Sequence, residues 1–432
     1  MMSESAPSRP CRVAIAGFGT VGQSVARILT SGVHSDLALT HVCNRNVASK
    51  RVDWVGPDVV WTESFDDLLA ADVDVVVELI GGASPAEEWI ARALSAGIPV
   101  VTANKQVIAQ AGPELMRQAR SHRTALLFEA AVAGGIPIVR GMLDGVSGDR
   151  LTRVRGILNG TCNYILTSME AEGVSFGDAL AEAQRLGFAE ADPTADVEGF
   201  DAQAKLAILL AVGLEQVVTA DDIPLASITA VEAIDFVYAK RLGCVIRQVA
   251  QAEVLYDGGV RASVRPALVP GTSALARVAG SQNIVVVEGQ YGGETAFSGY
   301  GAGGDPTAVA VVSDLVALAR GAGGAPADLF PDGQDRAHVT QAFEAPHYLR
   351  FTIADRPGII AALAEVFSRH SVNVDAVLQE PGWSKTELPF VMTLESCGSE
   401  AVRTALAEIE RFDFHVQPPV WLPVVTEGED GV

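Results

Sequence analysis

Arg12-Val-Ala-Ile-Ala-Gly17-Phe-Gly19-Thr-Val-Gly22 decides how the first third of the chain folds. A short apolar run reads as a buried strand. A glycine turn follows at once, and then a helical pattern carried by Val21, Val25, Ile28 and Leu29. Each glycine has a task in such a strand–turn–helix. Gly17 permits the tight turn, Gly19 lets a pyrophosphate approach the backbone, and Gly22 lets helix and strand pack closely. The helix start then offers its unpaired N–H groups to phosphate oxygens. Gly17, Phe18, Gly19, Thr20, Val21 and Gly22 are therefore the candidate cofactor-binding loop, the alternative being a glycine-rich turn with no ligand.

Outward from this loop, the second strand, Leu37–Cys43, ends where a dinucleotide-binding domain places an acid on the ribose 2′-hydroxyl. Here the corner reads Asn44-Arg45-Asn46, with Lys50 and Arg51 beyond it and no carboxylate. Arg45 can instead pair with a 2′-phosphate, which favours NADP(H) and leaves NAD open as a second cofactor. Strands at 73–78, 98–101 and 125–128 alternate with helical stretches. This pattern predicts an α/β fold with a parallel, Rossmann-like doubly wound sheet over residues 1–150, its ligands at the strand C-terminal ends. Lys105 follows such a strand end, as a cofactor-facing residue does and as a solvated loop lysine also does.

After Arg150 the alternation stops, and residues 151–304 read as an α+β region of mixed strands and helices. Within it, Gly187–Lys205 packs five carboxylates and one lysine into nineteen residues before an apolar run. It reads as an acidic loop feeding a helix whose first turns carry Asp201 and Lys205 at i,i+4, the better orientation for such a pair. Glu190, Asp196 and Asp201 can grip a substrate ammonium, and Lys205 can hold or release a proton. An ordinary capped amphipathic helix start fits the same spacing. The glycine-rich Ser298–Thr307 segment opens one more apolar helix, 305–320, expected to complete the first domain, with Gly303 suited to backbone contact with an anion.

Composition sets the bounds. The 432 residues allow two to three domains, and 49% hydrophobic with 19% charged residues suits a globular enzyme. A net charge of −22 speaks against nucleic acid or an anionic membrane as partner. Five scattered cysteines with no CxxC spacing suit a reducing cytoplasm and offer neither a disulfide framework nor a zinc site. No signal peptide or membrane-spanning run is read.

Together, GFGTVG (17–22), VTANK (101–105), EAAVAGGIP (129–137), GILNGTCNYIL (156–166), GFAEADPTADVEGFDAQAKL (187–206) and GYGAGGDPTA (299–308) resemble homoserine dehydrogenase over nearly the whole length. The resemblance implies NADP(H)-linked interconversion of L-homoserine and L-aspartate 4-semialdehyde, toward threonine, methionine and isoleucine. It matches Lys205 to the proton donor and acceptor, and Glu190 and Asp201 to residues holding the amino acid. Lys105 and the glycines at 17, 19, 22, 187 and 303 match cofactor-side positions. It also likens 129–137 to a monovalent cation (sodium) site with Glu129 and the carbonyls of Val132, Gly134 and Ile136. Read without the resemblance, that segment is only a turn with a glutamate. The chemistry agrees, because hydride delivery to an aldehyde leaves an alkoxide that needs a proton.

Residues 321–345, rich in Gly, Ala, Pro and Asp, read as a linker. Residues 346–425 follow the order βαββαβ, a ferredoxin-like arrangement, and 426–432 read as a disordered acidic tail. This module resembles an ACT regulatory domain, which implies an amino-acid effector, typically threonine, with Asp355, Gly358 and Asn373 as candidate contacts. A dimerisation module with an empty site is the alternative. The middle region and this module each offer a dimer surface, so a homodimer or homotetramer is expected. Two other functions compete. One is an acylating aspartate-semialdehyde-type dehydrogenase with Cys162 as nucleophile, although no histidine base lies between His122 and His338. The other is a non-catalytic NADP and amino-acid sensor, which has no need of a proton relay.

Overall fold

The structure is a computed structural model describing residues 9–321 and 336–426. The first sheet holds β1 (Cys11–Ala16), β2 (Leu37–Cys43), β3 (Val60–Thr62), β4 (Val75–Glu78), β5 (Val100–Thr102) and β6 (Leu126–Leu127). All are parallel, in the order β3-β2-β1-β4-β5-β6, the doubly wound arrangement expected from the strand–helix alternation. Val13, Ile15, Val75, Val77 and Val101 are buried in the core because helices cover both faces of the sheet. The helix Gly304–Ala319 joins the same core through Val311 and Leu315.

The middle of the chain builds a second, mixed six-stranded sheet from β7 (Leu151–Ile157), β8 (Cys244–Val254), β9 (Val260–Pro270), β10 (Gln282–Gly289), β11 (Gly293–Tyr300) and β12 (Val339–Thr340). β8 and β9 pair antiparallel from Cys244↔Pro270 to Val254↔Val260, and β12 adds in parallel to β9. The expected linker is therefore shorter than read. Its last residues already form β12, and β13 starts at Glu344. Residues 322–335 of that linker, like the expected tail from 427 on, lie outside the described residues.

The C-terminal module has β13 (Glu344–Ile353), helix Ile359–Arg369, β14 (Val374–Leu378), β15 (Leu388–Gly398), helix Ser399–Ile409 and β16 (His415–Pro423). Its antiparallel order is β14-β15-β13-β16, as the βαββαβ pattern predicts. Leu349, Phe351, Leu363, Phe367, Phe390 and Val402 fill its core.

Two compact units emerge from the contacts. One holds residues up to Val154 with Ala204–Asp222 and Asn283–Ala337. The other holds Arg155–Gln203, Ile223–Gln282 and the chain from His338. Within the second unit the C-terminal module is seated through a buried charge pair. Tyr348 and Arg350, two apart on β13 and so on one face, both donate to Asp235 Oδ1, at 2.6 and 2.8 Å. Burial pushes the Asp235 carboxyl up, against the pull of the Arg350 guanidinium. The same helix, Ala233–Arg241, brings Tyr238, whose hydroxyl accepts the Glu380 N–H at 3.1 Å.

Candidate active site

β1 ends at Ala16, and Gly17 turns the chain with φ +107°, where a Cβ would lie 2.6 Å from the Leu79 carbonyl. A Cβ on Gly22 would stand 2.2 Å from the Gly17 oxygen. Both glycines are thus demanded by backbone approach. Gly19 is different: nothing lies within 4 Å of where its Cβ would be. It is exposed at the start of the helix Thr20–Thr30, whose N-cap position has no side chain bonded to it. Open space above a helix start with no side-chain cap is the form a phosphate cradle takes, so this loop fits a dinucleotide.

Phe18 plays a different part from its neighbours. Its ring is buried against Trp54 and Trp61, and its N–H is donated to Asn44 Oδ1 at 3.1 Å. It anchors the loop instead of offering a side chain to a ligand. Thr20 and Val21 lie at the helix start, exposed and half-buried respectively. Arg45 is exposed in the turn after β2, at the corner where the sequence places it. Gly303, φ +112°, precedes the helix Gly304–Ala319, whose first turn is clamped to the Thr20 helix. Ser24 Oγ donates to Asp305 Oδ1 at 2.6 Å, and a Cβ on Gly304 would meet Thr20 Cγ2 at 2.9 Å.

Lys105 begins the helix Lys105–Ser121 directly after β5 and is half-buried. A buried network that sequence reading missed fixes this helix start. Glu78, at the end of β4, accepts from the Ile80 N–H at 2.8 Å and from Thr102 Oγ1 at 2.6 Å. Thr102 in turn accepts the Asn104 N–H, and the Asn104 amide reaches the Gly82 carbonyl at 2.7 Å. Burial raises the Glu78 carboxyl pKa. The available signal was a carboxylate closing the apolar strand Val75-Val-Val-Glu78.

In the second unit two acids of the block meet at Asn159. This residue is 4% exposed and caps the helix Gly160–Glu172, its Oδ1 accepting the Cys162 N–H at 2.8 Å. Its Nδ2 donates to Asp196 Oδ1 at 2.6 Å and to Asp201 Oδ2 at 2.9 Å. Asp196 and Asp201 thus meet at one amide. Glu190 is exposed on the same acidic loop, and Gly187 lies in the turn after the helix Phe176–Arg185. The helix Phe200–Gly213 then places Lys205 one turn beyond Asp201, which puts both on one face. They are 8% and 9% exposed, an unusual burial for charged residues. Cys162 is 0% exposed, with its Sγ on the Asp196 carbonyl at 3.2 Å. A thiol held there is a packing group, and the acylating reading loses its nucleophile.

The segment 129–137 was expected to hold a monovalent cation. Glu129 is buried, but its carboxylate oxygens accept the N–H groups of Val139 (2.9 Å) and Arg140 (2.8 Å). The Ile136 carbonyl accepts the Ile138 N–H at 2.8 Å. Asp314 takes the Glu129 N–H at 3.0 Å and lies 3.3 Å from Arg140, and burial pushes its pKa up to about 7. An oxygen that accepts one N–H keeps a second lone pair, so Glu129 and the carbonyls of Val132, Gly134 and Ile136 stay the candidate cation ligands. The Glu129 carboxylate also ties down the start of the following turn, and no step is routed through a cation.

In the C-terminal module the three candidate effector residues are exposed. They have separate partners: Asp355 lies 3.4 Å from the Lys385 ammonium, Asn373 Nδ2 donates to Glu395 at 3.1 Å, and Gly358 opens the helix Ile359–Arg369.

Sequence profiles cover most of the chain. One described as homoserine dehydrogenase matches residues 137–316, one described as homoserine dehydrogenase, NAD binding domain, matches 17–129, and an ACT domain profile matches 347–414. The homoserine dehydrogenase of Mycobacterium tuberculosis is 42% identical over 389 residues, 86% of this chain and 87% of its own. The chain belongs to the homoserine dehydrogenase family. The Bacillus subtilis homoserine dehydrogenase is 38% identical over 90% of this chain and 92% of its own. A crystal structure of a homoserine dehydrogenase from Thiobacillus denitrificans shares the fold with a TM-score of 0.87 at 32% identity, covering 96% of this chain and 98% of that one. A hyperthermophilic archaeal homoserine dehydrogenase in complex with NADPH gives 0.61 at 28% identity over 71% of this chain and 97% of that one. As a homoserine dehydrogenase the chain is an NAD(P)-dependent oxidoreductase with an ACT module. Among the described residues no helix is long and apolar enough to cross a membrane, and no group of three or more His, Cys, Asp or Glu is placed to hold a metal.

Proposed function

We propose that this homoserine dehydrogenase interconverts L-homoserine and L-aspartate 4-semialdehyde with NADP(H), Lys205 giving and taking the proton at the substrate oxygen. The observation that carries the reading is a buried lysine one helical turn from an acid that shares an amide with a second acid. Asp196 and Asp201 receive the substrate ammonium, with Glu190 on the same loop. Their negative charge selects an amino-acid aldehyde over a plain one. A bound nicotinamide dinucleotide supplies hydride to the aldehyde carbon, or accepts it in reverse. Lys205 protonates the oxygen as the carbonyl is reduced and receives the hydroxyl proton in the oxidative direction. Gly17, Gly19 and the Thr20 helix start hold the pyrophosphate, with Lys105, Gly187 and Gly303 on the cofactor side.

Arg45 pairs with the 2′-phosphate, as the missing acid at the end of β2 suggests. Arg45→Ala is expected to weaken NADP(H) about 10- to 100-fold, the worth of one charge-assisted hydrogen-bond pair, and to leave NAD(H) nearly unchanged. Binding titrations with both cofactors check this, and equal losses would remove the 2′-phosphate role. Threonine acting through the ACT module, with Asp355, Gly358 and Asn373 near the effector, completes the proposal. The test of the whole is homoserine-dependent reduction of NADP and of NAD, each with and without threonine.

A further inference from the structure

We infer that Asn159 is a positioning residue that holds the two substrate acids in register without spending their charge. The inference rests on the reading that Asp196 and Asp201 take the substrate ammonium. The Asn159 amide has two N–H bonds, and each goes to a different carboxylate, at 2.6 Å to Asp196 Oδ1 and 2.9 Å to Asp201 Oδ2. Its orientation is not free to reverse, because Oδ1 is committed to the Cys162 N–H at 2.8 Å at the start of the Gly160 helix. Flipped, the amide would point an oxygen at two acids and an N–H at a donor. Asp196 is held from a second side as well, by Cys162 Sγ on its carbonyl at 3.2 Å.

The choice of an amide has a physical reason. Two like charges this close repel, and a donor between them offsets the repulsion. An arginine or lysine there would do so by cancelling the charge that must attract the ammonium. A neutral amide aligns both carboxylates and adds no charge of its own. The residues are distant in sequence, with Asn159 37 residues from Asp196 and 42 from Asp201, so the fork exists only in the folded chain.

The test separates the fork from the helix cap. Serine and aspartate both cap helices well, yet neither donates two N–H bonds. Asn159→Ser in the full chain is expected to keep the thermal midpoint and the NADP KM while raising the homoserine KM about 10- to 100-fold. Asn159→Asp, which adds a third negative charge, should raise it further and make the rise steepen with pH. Asp201→Asn and Asp196→Asn report on the underlying reading by themselves. If they leave the homoserine KM unchanged, the reading of the acids fails. If they raise it while Asn159→Ser does not, the fork alone is overturned. A fall in thermal midpoint together with equal rises in the homoserine and NADP KM values would overturn it too, by making Asn159 a fold residue only.

Discussion

Lys205→Ala is expected to lower kcat for homoserine oxidation by about 10²- to 10⁴-fold, the usual contribution of a positioned general acid–base, while NADP affinity stays at the parent value. Lys205 is 8% exposed on the helix Phe200–Gly213, one turn past Asp201. A lysine in that position has two possible functions, to hold charge or to move a proton. Lys205→Arg tells them apart, because a guanidinium keeps the charge and cannot release its proton in the working range. If proton transfer is the role, the arginine variant falls about as far as the alanine variant. Turnover retained by Lys205→Arg would make the residue an electrostatic clamp. Near-parent turnover in Lys205→Ala would remove it from the mechanism.

The second large effect is on stability. Arg350 is 1% exposed and Asp235 0%, and their 2.8 Å contact ties β13 to the helix Ala233–Arg241. Arg350→Met leaves a carboxylate buried with its cation gone, a change that costs about 3–5 kcal/mol. The denaturant midpoint of the second unit should drop accordingly. Replacing the whole cluster at once (Asp235→Leu, Tyr348→Phe, Arg350→Met) should recover most of the loss, since a well-packed apolar set is often as stable as the ion pair it replaces. A midpoint unmoved by Arg350→Met would mean that water reaches the pair and that the C-terminal module is seated some other way. The effect should extend to substrate binding. Phe236, Tyr238 and Ala239 share one core with Cys162, Ile165 and Leu166, which lie on the helix that Asn159 caps.

What the sequence made legible was local. The glycines at 17, 19 and 22 are read from a strand and a helix that adjoin them, and the βαββαβ order from alternation within each segment. Asp201 and Lys205 share a face because four residues make about one helical turn. What was not legible depends on partners far apart in the chain. The Asn159 fork reaches 37 and 42 residues away, and Arg350 meets Asp235 115 residues away. No spacing rule connects such pairs. β12 is two residues long, too short for any periodicity, and so was hidden in an apparent linker. Glu129 is another such case. Its two carboxylate oxygens accept the N–H groups of Val139 and Arg140, ten and eleven residues on, which no glycine pattern announces.

The most direct measurement is the initial rate of NADP reduction by the full chain as L-homoserine is titrated in, beside the same titration with 4-hydroxybutyrate, which lacks the ammonium. Saturable reduction with homoserine and almost none with the deaminated alcohol is the predicted result. Equal rates with both alcohols, or no reduction with either by a folded chain that binds NADP, would contradict the assignment of the Asn159-held acids and of the lysine that follows them.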